Sequence, residues 1–322
     1  MEPRAIYEPI QEDLLKVEDR LRSVSKVDFL PLSELLDYSL RGAGKRIRPV
    51  LTLLSGKFYD YNLDYLLPMA TAVEIMHMAT LVHDDAIDNS LVRRGKPTVN
   101  KLWGDEKTVL LGDYLFAEAG ALTASTQNLR AIKLFAETLK TISSGELDQS
   151  FNAFNLEQGR PQYFKRVAQK TAALFCMATE SGAALSQAPE ESAQILIEYA
   201  HNLGIAFQIV DDILDYIGTE EELGKPVGSD LAQGTLTLPA MLLMERYPDD
   251  NPIEKLFISR GGEDNIKLAI ELVRNSPIIV EECYSVASDY CDKARHNLKL
   301  LPDNASRRAL MELADYVVKR KR

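Results

Sequence analysis

Cysteine is scarce in this chain of 322 residues: Cys176, Cys283 and Cys291 are all it has. An odd count without zinc spacing excludes a disulfide framework and a zinc-ribbon site, so a reduced, cytoplasmic protein is expected. No stretch reaches 18 consecutive apolar residues, so no transmembrane segment is expected. The first residues, MEPRAIYEPIQEDLL, hold no apolar core of a signal peptide. Positive charge is also short, with 37 Lys and Arg against 48 Asp and Glu, a net charge of −11. A surface this acidic repels phosphate backbones and argues against a nucleic-acid partner. Alternating apolar–polar runs joined by Asn-Gly turns are missing, which argues against sheet. So are linkers, low-complexity tracts and repeats of 20–50 residues. The chain has no Gly-x-x-x-x-Gly-Lys-Ser/Thr loop, no His-Glu-x-x-His and no Ser-His-Asp arrangement. Nucleotide binding, zinc proteolysis and acyl transfer therefore have no support.

What is present is helical periodicity. Apolar residues recur at three and four over 66–85, and 128–151, 163–186, 191–217 and 265–300 repeat the pattern. Pro31, Gly42, Gly44, Gly95, Pro97, Gly159, Pro161, Pro189, Gly218, Gly224, Pro248, Pro252 and Gly261 punctuate it. The expectation is one all-α domain over 1–322, built from roughly ten to twelve helices. The last residues, Lys319-Arg320-Lys321-Arg322, read as a solvated basic helix end. Weak peripheral attraction to anionic lipid is a second reading of them.

Two segments echo each other. Leu81-Val82-His83-Asp84-Asp85-Ala86-Ile87-Asp88 and Gln208-Ile209-Val210-Asp211-Asp212-Ile213-Leu214-Asp215 both end an apolar run in Asp-Asp-x-x-Asp. Asp84 and Asp88, like Asp211 and Asp215, are four apart and share a helix face, where like charges repel. A hard divalent cation relieves that repulsion, and Mg²⁺ typically takes one or two carboxylates plus waters and phosphate oxygens. One such motif alone reads as a solvated helix end; two are harder to dismiss. If the two faced each other, they could hold several Mg²⁺ ions on one diphosphate.

The cations are concentrated near these motifs. Gly42-Ala43-Gly44-Lys45-Arg46-Ile47-Arg48-Pro49 places three in four positions, and Arg93-Arg94-Gly95-Lys96-Pro97-Thr98 follows the first motif. Arg binds phosphate in a bidentate fork and Lys as a point charge. Each cluster alone fits a surface salt-bridge patch; two of them flanking one carboxylate motif favour an anion site. Lys225 follows the second motif in Gly224-Lys225-Pro226-Val227-Gly228-Ser229-Asp230, and Lys170-Thr171 adds an ammonium and a hydroxyl. His77 lies two turns before Asp84 on the same face and could donate to a phosphate, although a lone helical His usually packs. His83 faces away from Asp84.

With these motifs the chain resembles the trans-type isoprenyl diphosphate synthases over nearly its whole length. The resemblance rests on GAGKRIRP at 42–49, HMATLVHDDAID at 77–88, RRGKPT at 93–98, Gly145, Glu146 and Gln149, Lys170-Thr171, QIVDDILD at 208–215 and GKPVGSD at 224–230. It implies antiparallel helices around a deep central cavity, usually in a homodimer. It also implies Mg²⁺-dependent, head-to-tail condensation of an allylic diphosphate with isopentenyl diphosphate. By that resemblance Asp84, Asp88 and Asp211 are metal ligands, with Asp85, Asp212 and Asp215 completing the catalytic carboxylates and Asp215 a further ligand. Arg93, Lys170, Thr171, Gln208 and Lys225 match positions that bind the allylic diphosphate. Lys45, Arg48, His77 and Arg94 match those that bind isopentenyl diphosphate. Many members carry a further Lys where this chain has Gly234-Thr235, so phosphate binding there falls to the Thr235 hydroxyl or is lost.

Product length is read from helix arithmetic. Ala79 and Thr80 precede the first motif by about one turn, where short-chain members have an aromatic; both are small here. Phe135, Thr138 and Ile142 share a helix face, and Phe135 stands about 21 Å along that helix from Gln149. Phe135 is expected as the floor that stops chain growth, though ordinary core packing is the plainer role for such a residue. A medium- or long-chain product, hexaprenyl to decaprenyl for quinone side chains, is expected, with a geranylgeranyl diphosphate synthase as the nearest rival. A terpene cyclase, a head-to-head synthase and a non-catalytic subunit of a heteromer fit less well. Lys45, Arg48 and Arg94 are unneeded by the first two, and a subunit would lose parts of its Asp motifs. A phosphohydrolase is weaker still, since nothing supplies an activated water.

Overall fold

The protein is described as a computed structural model, which covers residues 4–41, 44–224 and 226–320. It is helical almost throughout, as expected. Among the described residues fourteen helices have eight residues or more: α1 (Gln11–Val24), α2 (Leu30–Leu40), α3 (Ile47–Gly56), α4 (Leu63–Ile87), α5 (Asp105–Ser125), α6 (Leu129–Phe151), α7 (Arg160–Val167), α8 (Ala173–Leu185), α9 (Glu190–Ile217), α10 (Leu238–Arg246), α11 (Pro252–Ser259), α12 (Glu263–Arg274), α13 (Pro277–Leu298) and α14 (Ala305–Lys319). The count exceeds ten to twelve for identifiable reasons. The run 265–300 is split at Asn275-Ser276-Pro277, because Pro277 lacks an N–H and disfavours helical backbone before it. The run 163–186 is interrupted by a π-helical turn at Ala168–Ala172. Such single-turn bulges are rare and gather at functional sites.

The chain forms two compact units. One comprises Met1–Leu139, Leu174–Ala200 and Arg295–Leu313; the other comprises Lys140–Ala173, His201–Ala294 and Ala314–Arg322. The divisions fall inside α6, α8, α9, α13 and α14.

In the first unit α4 is the central element. Its side chains at Leu66, Met69, Val73, Ile75, Met76 and Ala79 are fully buried, on more than one face of the helix. A helix that is apolar all round belongs in a core. By length and composition α4 could cross a membrane, but most of that apolar window is covered by protein. Asn62 starts it by accepting the Asp64 N–H at 3.0 Å. After α4, Val92–Arg93 pairs antiparallel with Lys96–Pro97. The two turn residues, Arg94 at φ 51° and Gly95 at φ 72°, are both left-handed, which suits the right-handed twist of a two-residue hairpin.

The second unit has its own core, including Tyr163, Ile205, Ile209, Ile213, Tyr216, Leu231, Leu243, Phe257 and Cys283. Gly204 lets α9 touch the π turn: a Cβ there would stand 2.6 Å from Ala172 Cα and 2.8 Å from its Cβ. Gly204→Ala should therefore force backbone apart and destabilise the protein by about 1–3 kcal/mol, read as a lower urea midpoint. An unchanged midpoint would show that the contact yields freely. All three cysteines are free thiols.

Candidate active site

In the first unit the end of α4 presents the first Asp motif. Asp84 and Asp88 are half-buried, and the Asp88 N–H closes on the Asp84 carbonyl at 2.8 Å. Asp85 differs from them. It is 5% exposed and accepts a hydrogen bond from Arg93 Nε at 2.7 Å. Burial raises its carboxyl above the usual range against the opposing pull of Arg93. The Ser90 N–H donates to the Asp85 carbonyl at 2.9 Å, and Thr98 Oγ1 donates to the Ser90 carbonyl at 2.6 Å. The Arg93-Arg94 hairpin is thus sewn to the helix that carries the carboxylates. His83 turns toward α5, with Nε2 3.0 Å from the Val109 carbonyl and its ring 5.5 Å from that of Phe116.

The cations converge in this unit. Burial holds the His77 ring well below its usual pKa, and the nearby guanidiniums of Arg48, Arg94, Arg93 and Arg46 push it the same way. His77 is therefore neutral at pH 7, and it reports a local concentration of positive charge in an acidic chain. A Cβ placed on Gly44 would lie 3.5 Å from Arg46 Nη1 and 3.6 Å from Arg94 Nη1, so the glycine loop and the hairpin meet. The Arg48 guanidinium lies 5.2 Å from the Phe175 ring centroid. The Lys45 carbonyl accepts from the Tyr7 hydroxyl at 3.1 Å. Arg46, outside the expected binding set, is 8% exposed and bonds Glu18 Oε1 at 2.5 Å and Glu74 Oε1 at 2.8 Å. It anchors the segment on which Lys45 and Arg48 stand. Gly42 and Ala43, part of the same motif, lie outside the described residues.

In the second unit α9 carries the second motif, and its three carboxylates have three environments. Asp211 is half-buried and ion-paired with Arg320, whose guanidinium lies 4.3 Å from the Phe207 ring centroid. Arg320 is 3% exposed, which corrects the expectation of a solvated C-terminal helix end at this residue. Lys321 and Arg322 lie outside the described residues. Asp212 is 3% exposed and accepts from Tyr163 Oη at 2.7 Å and Gln208 Nε2 at 2.8 Å. Burial raises its carboxyl, and the Asp230 charge adds to that. Asp215 is 1% exposed; its oxygens accept from Ser229 Oγ at 3.0 Å and the Asp230 N–H at 3.3 Å. In this structure Asp215 anchors the 228–230 turn.

Around this motif Gln208 Oε1 accepts from Thr171 Oγ1 at 2.5 Å, and Lys170 Nζ pairs with Glu146 Oε1 at 2.6 Å. Lys225 lies outside the described residues. Thr235 is 9% exposed, and its N–H donates to the Asp230 carbonyl at 2.8 Å.

Arg320→Ala should leave Asp211 short of a counter-charge. Because Asp211 is partly solvated, the expected cost is about 1–3 kcal/mol, below that of a fully buried pair. Urea unfolding without divalent metal measures it, and no loss would show the pair to be incidental.

The donor set bears on a metal. Among the described residues no three His, Cys, Asp or Glu side chains gather closely enough to cage an ion. Each unit by itself offers accessible hard oxygens in small number, Asp84 and Asp88 on α4 in the first and Asp211 on α9 in the second. That fits a cation which keeps several waters and shares phosphate oxygens, as Mg²⁺ does, rather than zinc.

The expected chain-length residues are all in the first unit. Ala79 is fully buried, while Thr80 is half-buried and its Oγ1 donates to the His77 carbonyl at 2.8 Å. Phe135, half-buried on α6, reaches α5: its Cε1 would lie 3.5 Å from a Cβ on Gly120. A cavity of about 970 Å³ in this unit is lined by Glu18, Arg22, Asp37, Arg41 and Arg46, away from these residues and from the Asp motif.

A family model described as "Polyprenyl synthetase" matches residues 31–273, most of the chain. The chain belongs to the polyprenyl synthetase family. It is an enzyme of that family, a prenyltransferase that makes polyprenyl diphosphate. It is 38% identical over 323 residues to a protein of Geobacillus stearothermophilus called heptaprenyl diphosphate synthase component 2, covering 99% of each chain. A solved polyprenyl synthase of Caulobacter crescentus, complexed with calcium and isoprenyl diphosphate, superposes with a TM-score of 0.94 at 34% identity, over 98% of this chain and 97% of that one. The solved heptaprenyl diphosphate synthase of Staphylococcus aureus gives 0.92 at 36%, over 97% and 98%. The family places the helical class and the prenyl-transfer chemistry beyond expectation.

Some of the site escaped the sequence. The burial of Arg46 and the pairing of Lys170 with Glu146 involve motif residues, so their importance was signalled though their partners were not. Tyr163 carries no signal and Arg320 reads only as part of a basic helix end, because each meets its carboxylate only through the tertiary fold.

Proposed function

We propose that this enzyme condenses isopentenyl diphosphate head-to-tail with an allylic diphosphate, farnesyl or similar, to give a medium- or long-chain all-trans polyprenyl diphosphate for quinone side chains. The observation that carries the proposal is the first unit's pairing of a carboxylate-bearing helix end with a guanidinium cluster around a neutral His77. An acidic protein has reason to gather Arg46, Arg48, Arg93 and Arg94 in one place if an anion comes there.

Bound Mg²⁺, held by Asp84 and Asp88 at the first motif and by Asp211 with Asp215 at the second, would supply charge to offset the leaving diphosphate. Several ions are proposed, since each helix end offers few oxygens. The chain's own residues divide the remaining work. Lys45, Arg48 and Arg94 hold isopentenyl diphosphate, and His77, being neutral, donates one N–H without adding charge. Arg93 and Lys170 exchange their present carboxylate partners, Asp85 and Glu146, for allylic phosphate oxygens. Thr171 and Gln208 fix the position of that diphosphate, with Lys225 as a further contact. The bond from the allylic carbon to the diphosphate oxygen breaks, and the double bond of isopentenyl diphosphate attacks that carbon. A proton then leaves to the released diphosphate. Water is kept from the cation by the apolar wall of α4 and its neighbours. Purified enzyme should lose chain extension on EDTA treatment and regain it with Mg²⁺; extension that persists without divalent metal would refute the metal role.

A cytoplasmic homodimer is proposed. Val109 and Leu110 on α5 and Leu129 and Ile132 on α6 are exposed apolar residues that a second copy would cover. Light scattering at working concentration should give twice the mass of one chain, and extension should need no other protein. The Geobacillus relative's name, component 2, supports the other outcome. If this chain also requires a second component, the purified chain alone will elongate nothing. Weak membrane contact for release of a long product is retained as part of the proposal.

A further inference from the structure

Behind the residues proposed to hold the allylic diphosphate lies a continuous hydrogen-bonded row in the second unit. Thr171 Oγ1 donates to Gln208 Oε1 at 2.5 Å, Gln208 Nε2 donates to Asp212 Oδ1 at 2.8 Å, and Tyr163 Oη donates to Asp212 Oδ2 at 2.7 Å. Asp212 and Tyr163 are 3% and 0% exposed, so no bulk water replaces a lost member. The row settles the orientation of the Gln208 amide. An ionised carboxylate accepts only, so with Asp212 charged the NH₂ faces Asp212 and the oxygen faces the Thr171 hydroxyl. That orientation is as firm as the carboxylate beneath it, which Tyr163 holds from its far side.

Tyr163 is itself locked. Phe164 meets its ring edge-on at 5.2 Å, the Arg166 guanidinium lies 5.6 Å from its centroid, and the ring sits in the core of the unit. It stands on α7, directly before the π turn that carries Lys170 and Thr171. We propose that Tyr163 is a positioning residue: through Asp212 it fixes the Gln208 amide, and with it the Thr171 hydroxyl, toward the allylic diphosphate. Tyr163 touches no substrate in this account. The proposal rests on the reading that Thr171 and Gln208 bind that diphosphate, and the test separates the two.

Steady-state kinetics with each substrate varied in turn, on the full chain with Mg²⁺, reads the effect. Tyr163→Phe keeps the ring and removes one O–H. It should raise the KM for farnesyl diphosphate roughly ten-fold, as loss of an outer partner does, and leave the KM for isopentenyl diphosphate unchanged. Added to Gln208→Ala, it should have no further effect on the allylic KM. If Gln208→Ala raises that KM but Tyr163→Phe does not, or if the two effects multiply, the positioning role is overturned and the site reading stands. If Gln208→Ala leaves it unchanged, the site reading falls and the proposal with it. If Tyr163→Phe raises both KM values alike, the role is merely structural and the proposal fails.

Asp212 gives a second route should Tyr163→Phe not fold. Asp212→Asn still offers an oxygen to Gln208 and an N–H to the Tyr163 oxygen, so its KM for farnesyl diphosphate should rise less than that of Asp212→Leu, whatever either change does to turnover. Asp212→Leu can do neither and should behave as Tyr163→Phe does. Equal damage from Asn and Leu would mean that charge, not positioning, is what Asp212 supplies, and would overturn the proposal.

Discussion

Asp84→Asn should slow chain extension by about a thousand-fold at saturating substrates, and Asp211→Asn by a similar factor, the scale of losing one stabiliser of developing charge. Asn keeps the volume and the helix but removes the charge that draws a hard cation to these positions. Both carboxylates are partly open, unlike the buried Asp85, Asp212 and Asp215. Asp84→Asn should therefore fold normally, with the same helical circular dichroism, and fail only in catalysis, whereas Asp211→Asn also weakens the ion pair of the buried Arg320 and should lose some stability. Raising Mg²⁺ should restore part of the rate if weakened metal binding is the defect. Turnover of labelled isopentenyl diphosphate measures all of this, and a loss smaller than about ten-fold in either variant would remove that residue from the metal site. The buried carboxylates predict a different signature. Asp85→Asn should mainly loosen Arg93, which the carboxylate now holds at 2.7 Å, and so weaken substrate binding more than turnover.

Phe135→Ala should lengthen the product by one or more isoprene units. The ring bridges α6 and α5 at Gly120, where no side chain opposes it, and removing it leaves open space rather than a new contact. A space of that size is expected to cost roughly 3–5 kcal/mol if it stays empty in a tight core. Phe135 is half-buried, so the cost should fall below that range. The opposite change belongs at Thr80. Ala79 is fully buried, so Ala79→Phe would overpack α4 and confound product length with misfolding. Thr80→Phe enlarges a half-buried position one turn before Asp84 and should shorten the product. Chromatography of dephosphorylated products from labelled isopentenyl diphosphate decides both. Wild-type length from Phe135→Ala would make that residue ordinary core, and wild-type length from Thr80→Phe would move the wall elsewhere.

The periodicity of α4 and α9 was legible because both helices obey a single rule over more than twenty residues, and the Asp motifs were legible because they end those runs. Helix breaks were harder. Pro277 was visible, yet the apolar period continues through it, and the π turn at 168–172 has no proline or glycine to announce it. The site was legible as a set of residue types and not as a set of partners. Sequence spacing places Asp84, Asp85 and Asp88 on one helix turn but does not say that Asp85 is buried under Arg93. It makes Asp211 and Asp215 equivalent, whereas the fold gives one an arginine from the last helix and the other the N–H and hydroxyl of a turn. Arg320 and Tyr163 are distant from their partners along the chain, and only packing brings them there.

The central claim is extension of an allylic diphosphate to a medium or long chain. The direct test is the product chromatogram of the wild-type enzyme incubated with Mg²⁺, farnesyl diphosphate and labelled isopentenyl diphosphate. The account predicts that label accumulates in all-trans products in the hexaprenyl to decaprenyl range. Label that stops at geranylgeranyl diphosphate would contradict the chain-length assignment, and phosphate release without any extension would contradict prenyl transfer itself.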